Sequence, residues 1–196
     1  MRQAVEVSVS RTKFDREVAA YRAIEPTLIA RGWWLMKAEF PIVEVGFVTV
    51  NMRPAVLLLA VRLDFTDYDL QPISVRFIDP FTGQVQMHGQ VPSPLLKRDP
   101  AMTPEQVLAA QNGAAEWLVQ PLAQALPGEP AFLCLPGVRE YHEHPAHSGD
   151  PWELHRASGE GKMHNILEKV WRYGTDPLVQ IGFKIAIEFQ RRDVPE

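Results

Sequence analysis

Apolar residues recur at three- and four-residue spacing from about Thr12 to Arg31, where Phe14, Val18, Tyr21, Ile24 and Leu28 fall on one face of a predicted helix. Thr12 with Asp15 has the form of a capping-box start, and Gly32 supplies a stop. Pro26 lies inside the pattern and predicts a kink there. Ahead of this helix Val5, Val7 and Val9 alternate, which predicts a short edge strand.

From Trp34 onward the period changes. Apolar runs bounded by turn residues predict four strands, from Leu35 to Val43, Val45 to Val50, Ala55 to Phe65 and Ile73 to Ile78. Leu57, Leu59, Val61, Leu63 and Phe65 alternate strictly, and Asn51–Pro54 is the clearest turn. Short links between consecutive strands predict an antiparallel meander.

Residues 79–102 are rich in Pro, Gly and polar groups and read as loop. Thr103, Pro104 and Gln106 then form a start signal for a helix with Val107, Leu108, Trp117, Leu118 and Leu122 on its apolar side, stopped near Pro121. Further on, Met163, Ile166, Leu167, Val170 and Trp171 follow helical spacing until Gly174. Val179, Ile181, Phe183, Ile185, Ile187 and Phe189 alternate as in a terminal strand. The order of elements predicts an α+β fold in one domain over residues 1–196, with an insertion at roughly 82–130.

Composition narrows the function classes. A formal net charge of −4 with scattered basic residues argues against a nucleic-acid partner, which would need clustered Lys and Arg. The longest apolar run, Ala55–Val61, is far short of the ~20 residues that cross a bilayer, and the first residues lack the apolar stretch of a signal peptide. A cytoplasmic protein with no membrane partner is the expectation. With one cysteine in the sequence, no intramolecular disulfide staples the fold.

That cysteine, Cys134, heads the stretch CLPGVREYHEHPAHSGDPWELHR, which holds Glu140, His142, His144, His147, Asp150 and His155. Such density of titratable groups beside turn residues suits a functional loop. A thiol nucleophile would use a nearby imidazole for proton transfer. A zinc site would need three or four Cys, His or carboxylate ligands, and Cys134, Glu140, His142 and His147 form that alternative set. The spacing lacks the paired C-x2-C and H-x3-H geometry of common zinc modules. Glu140 and Asp150 also suit exposed loop charges or caps, His88, His155 and His164 suit surface positions, and Trp152 suits a packing anchor.

The segment LLLAVRLDFTDYDLQPISVRF, Leu57 to Phe77, resembles the third and fourth strands of ubiquitin-conjugating enzymes, with Phe65, Asp67–Tyr68, Pro72, Val75 and Phe77 in that family's order. Cys134 in FLCLPG resembles the family's active-site cysteine. The loop that follows resembles a bacterial group encoded beside an activating enzyme, a ubiquitin-like protein and a JAB-type isopeptidase in phage-defence operons, some members of which are labelled metal-binding for Cys, Glu, His and His residues.

The resemblance implies a ubiquitin-conjugating-enzyme-like fold: N-terminal helix, four-stranded meander, insertion, active-site loop, C-terminal helix and strand. It also implies a transferase that takes a modifier as a thioester on Cys134 and passes it to a target amine. Its partners would be an activating enzyme, the ubiquitin-like modifier and a target protein; it would need no cofactor, the alternative being a zinc-binding adaptor or hydrolase in the same ubiquitin-like pathway. The stretch before Cys134, ALPGEPAFL, has no counterpart of the family's His-Pro-Asn motif. His142 or His144 is therefore the expected oxyanion or proton-transfer partner, with Glu140 orienting the imidazole.

Overall fold

The computed structural model describes residues 4–93, 95–98, 102–103, 105–106, 109, 119–125 and 128–180. Helix α1 (Val7–Ala23) buries Phe14, Val18 and Tyr21 on one face, as the spacing predicts. It starts earlier than expected, so Val7 and Val9 belong to its first turns and point to solvent, with no edge strand there. The preceding N–H groups of Ala4 and Val5 both donate to Asp67 Oδ1 at 2.8 Å, which satisfies the backbone that a strand partner would otherwise pair. Thr12 is not a cap either; its hydroxyl donates to the Ser8 carbonyl oxygen one turn back at 2.9 Å.

The expected kink at Pro26 is a full break. Helix α2 (Glu25–Ala30) begins after Ile24 with the proline in its first turn, where the missing N–H costs nothing. Gly32 then turns the chain at φ +86° into strand β1 (Trp33–Glu39). Val48 N–H donates to the Gly32 carbonyl oxygen at 2.7 Å, and a Cβ on Gly32 would stand 2.3 Å from the Val48 oxygen. Glycine is required here on both counts.

Strands β2 (Ile42–Val48), β3 (Leu57–Asp64) and β4 (Ser74–Ile78) complete the antiparallel meander. The first turn lies at Phe40–Pro41 and not beside Glu44, because Val43, Val45 and Phe47 form one buried alternating set that continuous pairing with β3 preserves. Partners such as Val45 and Val61, or Val61 and Phe77, stack this face across strands into a core closed by α1 and by helix α4 (Met163–Gly174), which contributes Met163, Ile166, Leu167 and Val170. Glu17 of α1 accepts the Met163 N–H at 3.1 Å and ties the two helices together.

The insertion is more ordered than a loop. Strands β5 (Leu96–Arg98) and β6 (Val119–Pro121) form an antiparallel ribbon, so the expected helix does not run to Pro121, and Leu122 is buried between strands. Its start signal is present: Thr103 N–H donates to Gln106 Oε1 at 2.9 Å and Gln106 N–H to Thr103 Oγ1 at 3.3 Å. The rest of that helix, including Val107, Leu108, Trp117 and Leu118, lies outside the described residues, as does the predicted terminal strand from Ile181 on. Strands β7 (Ala123–Gln124) and β8 (Phe132–Leu133) extend the sheet beyond β4 to six strands in the order β1-β2-β3-β4-β8-β7. Between β8 and α4 lies the short helix α3 (Arg139–Glu143).

Gly32→Ala forces a side chain into the left-handed region against a backbone oxygen, so it is expected to destabilise the fold by roughly 1–3 kcal/mol. A urea unfolding midpoint equal to wild type would refute that reading of the α2–β1 junction.

Candidate active site

Strand β8 carries the cysteine to its place. Cys134 follows Leu133 directly, and its N–H donates to the Leu122 carbonyl oxygen at 2.8 Å, so the thiol is held where sheet and insertion meet. Leu135 and Val138 are buried beyond it. The chain then enters α3, whose Arg139 N–H donates to the Ile73 carbonyl oxygen at 3.0 Å and whose Arg139 side chain donates to the carbonyl oxygens of Thr66 and Pro72.

Glu140 is not an exposed loop charge. It is buried, accepts from the Ser74 hydroxyl and from Val75 N–H (3.0 Å), and pairs with Arg76 Nε at 3.3 Å. Its carboxylate fastens α3 to β4 and is unavailable to orient an imidazole at Cys134. His142 is likewise committed: Nδ1 lies 2.8 Å from the Asp150 carbonyl oxygen and Nε2 lies 2.6 Å from that of Pro136. Carbonyl oxygens only accept, so a ring nitrogen that carries a proton donates to the carbonyl it faces. The ring thus closes the loop between residues 136 and 150. His144 stacks on Phe132 with ring centres 5.2 Å apart, its Nδ1 accepts from Ala146 N–H, and it lines a separate cavity with Arg76 and Glu140.

The imidazole brought to the thiol is that of His147, with Nε2 3.4 Å from Cys134 Sγ. Its ring stacks on Tyr141 with centres 3.9 Å apart and an interplanar angle of 18°. Tyr141 donates its hydroxyl proton to Asp150 Oδ2 at 2.7 Å, and Asp150 Oδ1 meets His155 Nε2 at 2.6 Å. His155 Nδ1 in turn meets Glu160 Oε2 at 2.7 Å. Asp150 and His155 are therefore structural partners. Trp152 is buried, donates its Nε1–H to the Asp69 carbonyl oxygen at 3.1 Å and serves as the expected anchor. His88 sits in an exposed turn, and His164 packs against Trp33.

Burial pushes the Cys134 thiol up from its ordinary value. Burial also pushes His147 down, and the neighbouring His144 adds to this. Near neutrality the pair is a thiol facing a neutral imidazole. The S–H can donate to Nε2, and a thiolate forms by proton transfer when an electrophile arrives. Tyr141 is pushed up to about 12 by burial and then by Asp150, so it stays a phenol that donates.

Cys134 and His147 share a cavity of about 390 Å³ whose wall also includes Lys97, Gln120, Tyr141 and Lys169. The contributions of β5, β6 and α4 had no sequence signal, because no local spacing links them to the cysteine. The alternative zinc set is not assembled, since Glu140 and both ring nitrogens of His142 are engaged away from the thiol. Among the described residues no three His, Cys, Asp or Glu side chains converge as metal ligands.

Two outcomes follow from this electrostatics. Alkylation of native Cys134 by iodoacetamide is expected to rise through pH values above the ordinary thiol pKa of ~8.5; a plateau near neutrality would reveal a preformed thiolate instead. His155 is raised, first by its hydrogen bond to Asp150 and then by Glu160. Its stabilising contribution is fully present below the unfolded value of ~6.5 and is lost as pH rises through the raised one. Asp150 is lowered, first by His155, so its share persists above the unfolded carboxylate value and is lost as pH falls through the lowered one. His155→Gln should accordingly cost more stability at about pH 5.5 than at about pH 9 in urea unfolding, and a pH-independent cost would count against the ion pair.

The sequence profile described as Y4jH-like, Y4jH family, matches residues 5–178, which take in every element from α1 to α4 together with Cys134 and its loop. The uncharacterized protein y4jH of Sinorhizobium fredii is 41% identical over 188 residues, covering 94% of this chain and 91% of the relative. With a match of that extent across both the fold and the cavity-forming segments, the chain belongs to the Y4jH-like family.

Proposed function

We propose that this protein is a conjugating enzyme of the ubiquitin-conjugating kind, in which Cys134 carries the C-terminal acyl group of a ubiquitin-like modifier as a thioester and hands it to a target amine. The observation that carries the reading is the Cys134 Sγ facing His147 Nε2 at 3.4 Å on the wall of an open cavity. A buried cysteine with only a packing role needs neither an imidazole at its sulfur nor access to a cavity. The element order adds support: a helix, a four-stranded antiparallel meander, a cysteine at the end of a short strand and a closing helix is the order that the resemblance to ubiquitin-conjugating enzymes implies.

In loading, the Cys134 sulfur attacks the thioester carbonyl of the modifier on its activating enzyme. The thiol proton passes to His147 Nε2, a new C–S bond forms and the activating enzyme's sulfur leaves as thiolate, which keeps the acyl group reactive. In discharge, an amine attacks that carbonyl and the Cys134 sulfur leaves, while His147 relays the amine's proton to it. The base is His147, in place of His142 and His144, because only its ring reaches the sulfur. Gln120 on the cavity wall offers an uncharged amide donor to the tetrahedral oxyanion.

Incubation with the cognate activating enzyme, ATP and ubiquitin-like protein should give a covalent adduct that thiols dissolve. Cys134→Ala should abolish it, and Cys134→Ser should leave a slower ester that thiols do not cleave. His147→Ala should slow loading and discharge by ~10²–10⁴-fold, the usual contribution of a positioned acid–base group. His144→Ala should change discharge far less. An adduct that resists thiols and survives Cys134→Ala would make the chain a substrate and defeat the proposal.

A further inference from the structure

His147 faces the Cys134 sulfur with one ring nitrogen, and its other ring nitrogen has no orienting partner among the described residues. Nε2 lies 3.4 Å from Sγ, whereas Nδ1 makes no hydrogen bond to them. A histidine base ordinarily has its tautomer and ring angle fixed by a hydrogen bond at the second nitrogen. What holds this ring is a flat face. The phenol of Tyr141 lies nearly parallel to it, with centres 3.9 Å and planes 18° apart.

The phenol is itself held from two sides. Tyr141 belongs to α3, which Glu140 fastens to β4. Its hydroxyl donates to Asp150 Oδ2 at 2.7 Å, and Asp150 Oδ1 meets His155 Nε2 at 2.6 Å. The charged groups around His147 divide by sign: Asp150 favours the imidazolium, while His142 and His144 of the same loop oppose it. Lys97 of β5, Lys169 of α4 and Glu160 stand on the wall of the shared cavity. The Tyr141 face adds to the side of Asp150, because a cation within ~6 Å of a tyrosine ring centre is attracted by the ring quadrupole. Donation of the hydroxyl to a carboxylate makes that face richer in electrons.

We propose that Tyr141 is a positioning residue for His147, its ring taking the place of the orienting hydrogen bond that a histidine base ordinarily has. This role rests on the acid–base reading of His147 argued above. As the Cys134 sulfur attacks an acyl carbonyl, the S–H bond breaks and the proton bonds to His147 Nε2. The imidazolium so formed lies against the phenol face. Tyr141 touches no reacting atom and neither gains nor loses a proton. It holds Nε2 toward the sulfur and favours the charged ring over the neutral one, so it lowers the barrier more than it stabilises the resting pair.

The test uses the full chain and a Gly-Gly peptide thioester of mercaptoethanesulfonate as acyl donor, with loading of Cys134 followed by intact mass. Tyr141→Leu and, as a second variant of similar bulk, Tyr141→Met remove the face and should slow loading roughly tenfold near pH 7, within the span of a stacked or cation–π contact. Tyr141→Phe keeps the ring and should stay within about threefold of wild type. The deficit of the faceless variants should shrink as pH rises past the ordinary thiol value of ~8.5, where the thiolate forms without a base. In a His147→Ala background Tyr141→Leu should cost nothing further, because the ring acts through the imidazole.

A further loss in that background, or a deficit independent of pH, would make Tyr141 a general support of the loop and overturn the role. So would a Tyr141→Phe loss as large as that of Tyr141→Leu, or faceless variants that load at the wild-type rate. Each of these leaves the carrier reading of Cys134 standing. Wild-type loading by His147→Ala would instead remove the acid–base reading and the positioning role together, and a chain that forms no hydroxylamine-labile adduct on Cys134 would remove the carrier reading as well.

Discussion

Where β4 passes beneath the histidine-rich loop, the Glu140 carboxylate takes the Val75 N–H, the Ser74 hydroxyl and the Arg76 guanidinium together. A charge this deep in the protein is tolerable only with its partners in place, and separating it from them is a strongly unfavourable step. Helix α3 therefore has one position on the sheet. Because α3 begins five residues after Cys134 and ends four before His147, that single anchorage sets where both reactive groups start from.

The return of the chain to the thiol is governed by histidines that act as braces. His142 spans the carbonyl oxygens of Pro136 and Asp150, and His155 spans the carboxylates of Asp150 and Glu160. Tyr141, held by Asp150, forms the flat backing on which His147 rests. Three polar contacts thus converge on Asp150, a residue that touches no reacting atom. The consequence is positional: His147 is delivered to the sulfur by a loop braced through these contacts.

Burial acts on the thiol and the imidazole in opposite directions, raising one and lowering the other, and so keeps both neutral at rest. A neutral pair fits the proposed carrier role, since a permanent thiolate would meet oxidants and stray electrophiles first. The cavity beside it combines this quiet pair with cationic side chains from β5 and α4, regions that the chain's linear order keeps far apart.

The parts of the molecule that were legible in the sequence are those governed by local periodicity. Phe14, Val18 and Tyr21 mark α1, Leu59, Val61 and Leu63 mark β3, and Met163, Ile166, Leu167 and Val170 mark α4, because burying one face imposes its period on the residues that form it. Cys134 was legible as a singular chemical group in a loop dense with imidazoles. Its partner was not. Spacing ranks His142, His144 and His147 alike, and the choice fell to His147 only through contacts with Pro136, Phe132 and Tyr141 made as the loop folds back. Glu140 was read as the group that orients an imidazole, and its burial was not legible because it depends on β4, some sixty-five residues earlier in the chain. The lysines of the cavity depend on a ribbon and a helix that meet only in three dimensions. Local periodicity is written in neighbouring residues, whereas the state of a polar side chain is decided by whichever distant segment reaches it.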